Sequence, residues 1–132
     1  MSVIYDAGVL VAADRNDRTV WADHRIRLES GLTPNTTAPV VAQVSRSSRQ
    51  AQLRRFLRGC EVIPFTADQA HSVGALLAAA KTADVVDAHI AVVAVEIRST
   101  VITSDPEDLR HLASHLRNRL TIRTLSGSQP IR

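Results

Sequence analysis

Two short runs of β-branched and apolar residues that each end in an aspartate constrain the fold of this chain most strongly. Residues 3–5 lead into Asp6, and residues 101–104 lead into Asp105. Runs of this kind are typical of parallel strands that are buried on both faces. Ligand sites in such sheets form where the strands end. The pattern therefore predicts a buried parallel sheet with carboxylates at one edge.

Strands and helices are predicted to alternate along the chain. Strands are expected at 3–5, 32–38, 61–64, 100–104 and 120–125, the last as an edge strand. Helices are expected at 7–13, 19–29, 40–47, 50–58, 66–81, from 84 or 85 to 98, and from Pro106 onward. This alternation predicts an α/β fold with three layers (α/β/α) around a mostly parallel sheet of about five strands. The order of the strands stays open.

Length and composition predict one domain. The chain has 132 residues, so a single domain over 1–125 is expected, with a flexible tail at 126–132. Aromatic residues are only 3% of the chain, which argues against a stacking platform for single-stranded bases. Neither a signal peptide nor a membrane-spanning helix is expected. The single Cys60 is interpreted as a packing residue, and a reducing, cytoplasmic location fits it.

Several aspartates from distant parts of the chain are expected to converge at the sheet edge. Asp6, Asp84 and Asp105 each stand directly before a predicted helix, and Asp87 lies one turn into its helix. Carboxylates this close repel one another, and a hard divalent cation is the usual remedy. A Mg²⁺ or Mn²⁺ site for phosphodiester chemistry is therefore predicted. Helix capping and compensation of the helix dipole remain open as alternative roles for the same acids.

Other chemistry-bearing residues are interpreted as structural. His71 and His89 lack partners at metal-ligand spacing and are expected to be surface or hydrogen-bonded histidines. His111 and His115 are four residues apart but fall on a polar helix face without a glutamate between them, so they are expected at the surface. No serine stands in the context of a known nucleophile motif.

The formal net charge is +3, and Lys81 is the only lysine. Arginine suits bidentate contact with phosphate, although a biased genome composition also explains the arginine excess. Two interpretations of the arginines in one helical region stay open: a solvated helix face, or a strip that contacts phosphates or a partner. These arginines are Arg46, Arg49, Arg54, Arg55 and Arg58.

The chain resembles the PIN-domain ribonucleases and, within them, the VapC-type toxins of bacterial toxin-antitoxin pairs. The resemblance is carried by four segments in the family's order, and it covers nearly the whole chain. They are Tyr5-Asp6-Ala7, Ala38-Pro39-Val40-Val41-Ala42-Gln43-Val44, Asp84-Val85-Val86-Asp87-Ala88-His89-Ile90-Ala91, and Thr103-Ser104-Asp105-Pro106-Glu107-Asp108-Leu109.

This resemblance implies a PIN-like nuclease domain whose Mg²⁺ or Mn²⁺ site is formed by Asp6, Asp87 and Asp105. Asp84 would contribute to the metal site, and Asp108 would be an accessory acid. Gln43 stands where the family normally has a glutamate; an amide can ligate weakly or orient water, but it cannot act as a base. The implied partners are an RNA substrate, a second copy of the chain in a homodimer and a VapB-like antitoxin, with no membrane. Arg46, Arg49 and Arg54 would contact RNA or the partner.

Two other functions are kept as alternatives. Gln43 favours a catalytically weakened or silent PIN-like module that acts through dimerisation and through binding of antitoxin or RNA. A receiver-like phosphoacceptor domain also gathers aspartates at strand ends. The absence of a lysine after a late strand argues against the receiver.

Overall fold

Five strands and seven helices alternate in the computed structural model, which describes residues 2–125. The strands are β1 (Ser2–Tyr5), β2 (Asn35–Thr37), β3 (Glu61–Ile63), β4 (Ser99–Thr103) and β5 (Ile122–Thr124). The helices are α1 (Ala7–Asp14), α2 (Arg18–Glu29), α3 (Ala38–Val44), α4 (Ala51–Leu57), α5 (Ala67–Ala80), α6 (Val85–Glu96) and α7 (Pro106–Ala113). The predicted tail at 126–132 lies outside the described residues.

All four strand pairings are parallel, and the strand order is β3-β2-β1-β4-β5. The chain first builds the sheet outward from β1 through β2 to β3, and then returns to place β4 on the other side of β1. The direction of building therefore reverses between β1 and β4, where Tyr5 pairs with Ile102. The crevice at such a reversal, beyond the carboxyl ends of the strands, is where open α/β sheets bind ligands.

The helices cover the sheet in two groups. Helices α2, α3 and α4 all contact α1, whereas α5, α6 and α7 contact one another. Because crossovers between parallel strands are right-handed, the outward and returning connections place these two groups on opposite faces of the sheet. The predicted three-layer α/β fold is confirmed.

The core is formed by β1, β4 and α6. Val3, Ile4 and Tyr5 are at most 1% exposed, which explains the continuous apolar run in β1. Helix α6 is buried without interruption from Ala88 to Ala94, so it is anchored on nearly all sides. Its first turn is the part that opens at the sheet edge. No helix within residues 2–125 is long and apolar enough to cross a membrane.

The break between α3 and α4 is longer than predicted. Helices were expected at 40–47 and 50–58, but α3 ends at Val44 and α4 begins at Ala51. Ser45 has an extended backbone (ψ 128°), and the Gln50 Oε1 atom accepts hydrogen bonds from the N–H groups of Arg46 and Ser47. A side chain thus replaces the helical partners of this segment. Strand β2 is also shorter than the predicted 32–38, because Pro34 and the N-cap Thr37 bound it.

A carboxylate cluster at the reversal point of the sheet

Asp6 lies at the carboxyl end of β1 and begins α1. Its backbone N–H continues the β1–β4 pairing by donating to the Ile102 carbonyl (3.0 Å). Its Oδ1 accepts from the N–H of Ala7 (2.7 Å), and its Oδ2 accepts from the hydroxyl of Thr103 (2.7 Å). The side chain is only 8% exposed. Asp6 therefore has a fixed orientation at the reversal point.

Thr103 organises this edge, a role that was not predicted for it from the sequence. Its hydroxyl donates to Asp6 and also accepts a hydrogen bond from the backbone N–H of Asp105 (3.0 Å). One buried hydroxyl thus connects the end of β1 to the start of the loop after β4. A threonine in a strand is ordinary, so only the structure distinguishes this one.

Gly8 lets α1 approach that same loop closely. A Cβ atom at residue 8 would lie 2.0 Å from the Ser104 Oγ atom and 2.8 Å from its Cβ atom. Real Cβ atoms are not found at such distances, so only glycine fits without displacement of the loop. The first turn of α1 and the residues that precede Asp105 are consequently packed against each other.

Asp84 and Asp87 lie at the first turn of α6. The Asp84 Oδ1 atom accepts from the backbone N–H of Asp87 (3.0 Å), so the predicted capping role of Asp84 is present. This hydrogen bond leaves the other Asp84 oxygen without a capping partner. Asp87 is partly buried, which is unusual for an acid whose only role is to compensate the helix dipole.

Asp105 precedes α7 but makes no capping hydrogen bond with its side chain. The alternative that the Asp105 side chain serves as a helix cap is therefore wrong. The loop is held instead by the backbone N–H of Asp105, which donates to Thr103. The Asp105 carboxylate is therefore exposed and not committed to the start of the helix.

The acids influence one another electrostatically. The pKa of Asp87 is raised to about 7, chiefly by burial, and the charges of Asp6, Asp84 and Asp108 contribute to the same shift. Burial also raises the pKa of Asp6; the hydrogen bonds from Thr103 and Ala7 oppose this effect, whereas the charges of Asp84 and Asp105 add to it. All five predicted acids thus belong to one electrostatic group, which we call the carboxylate cluster: Asp6, Asp84, Asp87, Asp105 and Asp108.

The donor chemistry of this cluster fits a hard divalent cation. Carboxylate oxygens are the ligands that Mg²⁺ and Mn²⁺ prefer, and a cation would offset the repulsion that raises the pKa of Asp87. Within residues 2–125, however, no three His, Cys, Asp or Glu side chains stand together as a ready-made coordination group. A cation held through a few carboxylates and several water molecules, as is usual for Mg²⁺, agrees with both observations.

Gln43 lies beside the cluster on α3 and not among its carboxylates. Gln43 is exposed and, together with one face of α1, lines a groove of about 470 Å³. One of the α1 residues in this lining is Ala7, which directly follows Asp6 in the sequence. The other residues that line the groove are Val11, Asp14, Arg15, Val44, Arg46 and Gln50. The acids of the cluster are not among these neighbours, whereas two arginines are.

The arginines for which a solvated face and a contact strip were both left open have different environments. Arg46 and Arg49 lie in the 45–50 loop and are exposed, with Arg46 at the groove beside Gln43. The Arg54 guanidinium donates to the Ser48 carbonyl and so closes this loop. Arg55 instead covers the Trp21 ring, with 4.6 Å between its guanidinium carbon and the ring centroid. These four arginines therefore do not share one environment.

A second polar group, on the opposite side of β1, was missed by the sequence analysis. Tyr5 points toward α2, where its hydroxyl lies 2.9 Å from His24 Nδ1 and accepts a hydrogen bond from Arg27 (3.2 Å). Burial lowers the pKa of His24 to about 4, so the ring that shares this hydrogen bond with the Tyr5 hydroxyl is neutral. The His24 ring stacks on Phe56 with centroids 3.9 Å apart. We call Tyr5, Trp21, His24 and Phe56 the aromatic cluster.

The remaining histidines and the cysteine have structural roles. His89 is fully buried; its Nε2 atom lies 2.9 Å from Gln69 Oε1, but its Nδ1 atom has no partner among the described residues. The expectation of a surface or fully hydrogen-bonded histidine is thus only half right. His111 is exposed as expected, yet its Nε2 atom contacts the Ala80 carbonyl (2.7 Å). Burial raises the pKa of Cys60 to about 12, which fits a packing role and excludes a reactive thiolate.

The family-model comparison matches this chain to the PIN domain over residues 3–114. That range covers every member of the carboxylate cluster and most of the sheet. The chain therefore belongs to the PIN domain family. The comparison with curated proteins gives no match.

Three solved structures contain chains with the same fold. The VapBC2 complex of Rickettsia felis, bound to a DNA fragment from its promoter, has a chain similar to this one, with a TM-score of 0.71 and 17% identity over 96% of this chain and 100% of that chain. A chain of FitAcB from Neisseria gonorrhoeae has a TM-score of 0.62 and 16% identity, over 91% of this chain and 95% of that chain. PAE2754 from Pyrobaculum aerophilum has a TM-score of 0.57 and 16% identity, over 92% of this chain and 89% of that chain. At these identities the likeness shows the fold.

Proposed function

We propose that this protein is a divalent-metal-dependent endoribonuclease and the toxin of a toxin-antitoxin pair. The observation that carries the proposal is the convergence of Asp6, Asp87 and Asp105, from three distant segments, at the reversal point of a PIN-family sheet. Mutual repulsion among these acids has no structural benefit, so their retention at a ligand-binding edge supports a functional role.

The residues of the carboxylate cluster would have different roles in binding the cation. Asp6 is held rigidly by Thr103 and Ala7, which suits a fixed anchor for a cation. Asp87 and Asp105 are less constrained and would complete the site, with Asp84 and Asp108 supplying further negative charge. With a pKa of about 7, Asp87 exchanges a proton near neutral pH, so it would be the acid that loses its proton when a cation binds.

Mg²⁺ or Mn²⁺ bound here would supply a Lewis acid for the phosphate and activate water for in-line attack on the phosphodiester. The chain itself would position the RNA. Arg46 and Arg49 are exposed in the 45–50 loop, which is held to the end of α1 at Asp14, and would contact phosphates of an RNA that extends beyond the cluster, while Arg54 keeps that loop closed. Gln43 would contribute an amide and no negative charge.

The same proposal includes the partners and the compartment. The structural likeness to chains from the VapBC2 and FitAcB structures supports binding of a VapB-like antitoxin beside the active site. A homodimer that aligns two sites, and action in the cytoplasm, complete the proposal. An antitoxin that covers the carboxylate cluster would silence the enzyme until the antitoxin is removed.

The first test is titration of Mn²⁺ and Mg²⁺ into the purified protein by calorimetry, with the same samples assayed on a structured RNA. Asp6→Asn should abolish both metal binding and cleavage, because the buried anchor loses its charge while keeping its shape. Asp68→Asn is the control, since Asp68 is likewise an aspartate at the start of a helix, in the first turn of α5, but is not part of the carboxylate cluster. Equal losses in both variants, or none in Asp6→Asn, would contradict the proposed site.

Gln43 supports one alternative function, a silent PIN-like module that acts by binding. In that case the wild type would neither bind metal nor cut RNA, and Gln43→Glu would restore both. If the wild type cuts RNA, glutamine at this position is compatible with catalysis. If neither protein cuts, more than this one residue has been lost and the protein acts by binding alone.

A further inference from the structure

The groove beside Gln43 combines an apolar wall, two cations and the amides of two glutamines, and it begins next to the carboxylate cluster. Its apolar wall is formed by Ala7, Val11 and Val44, and its cations are Arg15 and Arg46. Asp6, whose Oδ1 atom accepts from the Ala7 N–H, is therefore the immediate neighbour of the groove. At about 470 Å³ the groove has the size of a small-ligand site. A substrate that spans the cluster would extend into it.

Two glutamine side chains line this groove, and only one is available to a ligand. The Gln50 amide donates to Asp14 (3.1 Å) and to the Val44 carbonyl (3.0 Å), and its oxygen accepts from Arg46 and Ser47. All of its ordinary hydrogen bonds are thus used to fix the 45–50 loop. The amide of Gln43 has no partner within the described part of the chain and stands exposed at the groove.

We propose that this groove is a subsite for one nucleotide of the RNA substrate, read by the Gln43 amide. This inference rests on the proposed nuclease function. A base would pack on Val11 and Ala7, Arg46 or Arg15 would contact the adjoining phosphate, and the amide would hydrogen-bond the base edge. An amide presents a donor and an acceptor side by side, which is the arrangement that base edges match. Gln43 is then a specificity-determining residue and not a weakened metal ligand.

Gln50 acts indirectly in this subsite as a positioning residue. Its side chain holds the end of α3, the start of the 45–50 loop and α1 together, so it sets where Arg46 stands relative to Gln43. The subsite is therefore built by hydrogen bonds and not by chance proximity of exposed residues. Its specificity would come from the one amide that is left free.

The test measures RNA binding without cleavage. Fluorescence anisotropy would use labelled single-stranded RNAs that differ in one central base, with EDTA present and Asp6→Asn as the background. We expect a difference of about fivefold or more between the best and the worst base. Gln43→Met, which keeps the length of the side chain but removes the amide, should abolish that difference while RNA is still bound.

A second variant tests the position of the nucleotide. Val11→Phe should fill the apolar wall and weaken RNA binding at least about fivefold, the effect of losing one packed base. Val62→Phe is the matched control, because Val62 is similarly exposed, 42% against 36%, but lies on β3. Thermal melting checks that all variants are folded.

The outcomes separate the subsite from the function on which it rests. If the protein binds RNA but Gln43→Met keeps the base preference, or Val11→Phe binds as tightly as Val62→Phe, the subsite is excluded while the nuclease proposal stands. The same holds if the groove variants weaken only the binding of an antitoxin peptide. If the Asp6→Asn protein binds none of the RNAs, and the wild type cuts none, the proposed function itself fails.

Discussion

Tyr5 and Asp6 are consecutive residues at the end of β1, yet their side chains lie in two regions with different electrostatic environments. The Tyr5 hydroxyl accepts from Arg27 and shares a second hydrogen bond with His24, and the Trp21 indole N–H donates to the Ala13 carbonyl, so each polar side-chain group in the aromatic cluster has a hydrogen-bond partner. The Asp6 carboxylate also has two donors, but it lies among four other acids. Burial lowers the pKa of His24 to about 4 and keeps it neutral, whereas burial and repulsion leave Asp87 with a pKa of about 7.

This difference indicates which region stabilises the fold and which is kept for function. The aromatic cluster avoids buried charge, and its rings pack at distances typical of favourable aromatic pairs. In the carboxylate cluster, by contrast, the neighbouring acids repel one another and help to raise the pKa of Asp87. Within residues 2–125 these acids do not form a preassembled metal-binding group. Proteins retain such local conflicts chiefly at functional sites. Variants in the first region should therefore change stability, and variants in the second should change activity.

The largest expected effect on stability is that of Phe56→Ala. Phe56 is fully buried and contacts Tyr5, Trp21 and His24, so its removal should leave a cavity and lower the free energy of unfolding by about 3–5 kcal/mol. The rate of RNA cleavage per folded molecule should be unchanged, because Phe56 belongs to the aromatic cluster and contacts none of the acids in the carboxylate cluster through its ring pairs. Urea denaturation and a cleavage assay on the folded fraction would measure both.

Phe65→Ala is the matched control for that variant, because Phe65 is 39% exposed. It should cost about 1 kcal/mol or less. If Phe56→Ala lowers the cleavage rate of the folded protein strongly while Phe65→Ala does not, the aromatic cluster also affects activity, and the two clusters are coupled.

The sequence was sufficient for the fold class because of a few buried runs. The strands β1 and β4 are buried on both faces, so their apolar residues are continuous and easily recognised. The aspartates that end them were recognised for the same reason. The chain order of helices and strands then limited the sheet to a mostly parallel one.

The parts that could not be predicted depend on contacts between distant residues. His24 lies on a polar helix, and its burial is set by Tyr5 and Phe56. Thr103 has the ordinary composition of a strand, and the need for Gly8 arises only from Ser104. The free amide of Gln43 is distinguished from that of Gln50 only by the folded loop. Strand order likewise depends on how crossovers return, which no local pattern encodes.

Gly8→Ala should have an intermediate effect and tests how tightly the carboxylate cluster is positioned. The added Cβ atom would clash with Ser104 and displace the loop that carries Asp105, at a cost of about 1–3 kcal/mol. RNA cleavage should fall more than stability does, because Asp105 is moved relative to Asp6. Gly74→Ala is the control, since a Cβ atom there meets nothing within 4 Å. The double variant Gly8→Ala, Ser104→Gly removes the clashing hydroxyl and should recover most of the activity; no recovery would show that the glycine matters for another reason.

The smallest net effect is on the pH dependence of stability, because the contributions of the two regions have opposite signs over nearly the same pH range. His24 has a folded pKa of about 4, below its ordinary value of 6.5, so it contributes stability above pH 6.5 that is lost as the pH falls toward 4. Asp87 has a folded pKa of about 7, above its ordinary value of 3.8. The folded state therefore holds a proton that the unfolded state has lost, and the resulting stability is present below pH 3.8 and disappears as the pH rises through 7.

Asp87→Asn should separate these two contributions. The variant keeps the shape of the side chain but cannot ionise, so it should lose the decline in stability between pH 4 and 7 and keep the rise that comes from His24 between pH 4 and 6.5. At pH 8 without metal it should melt at a higher temperature than the wild type, because one repelling charge is gone. Mn²⁺ should raise the melting temperature of the wild type at pH 8 and have a smaller effect on Asp87→Asn, since the cation relieves the repulsion that the variant lacks. Calorimetric melts across this pH range would measure both effects, and a wild-type profile unchanged by the substitution would mean that Asp87 ionises as freely as an exposed acid.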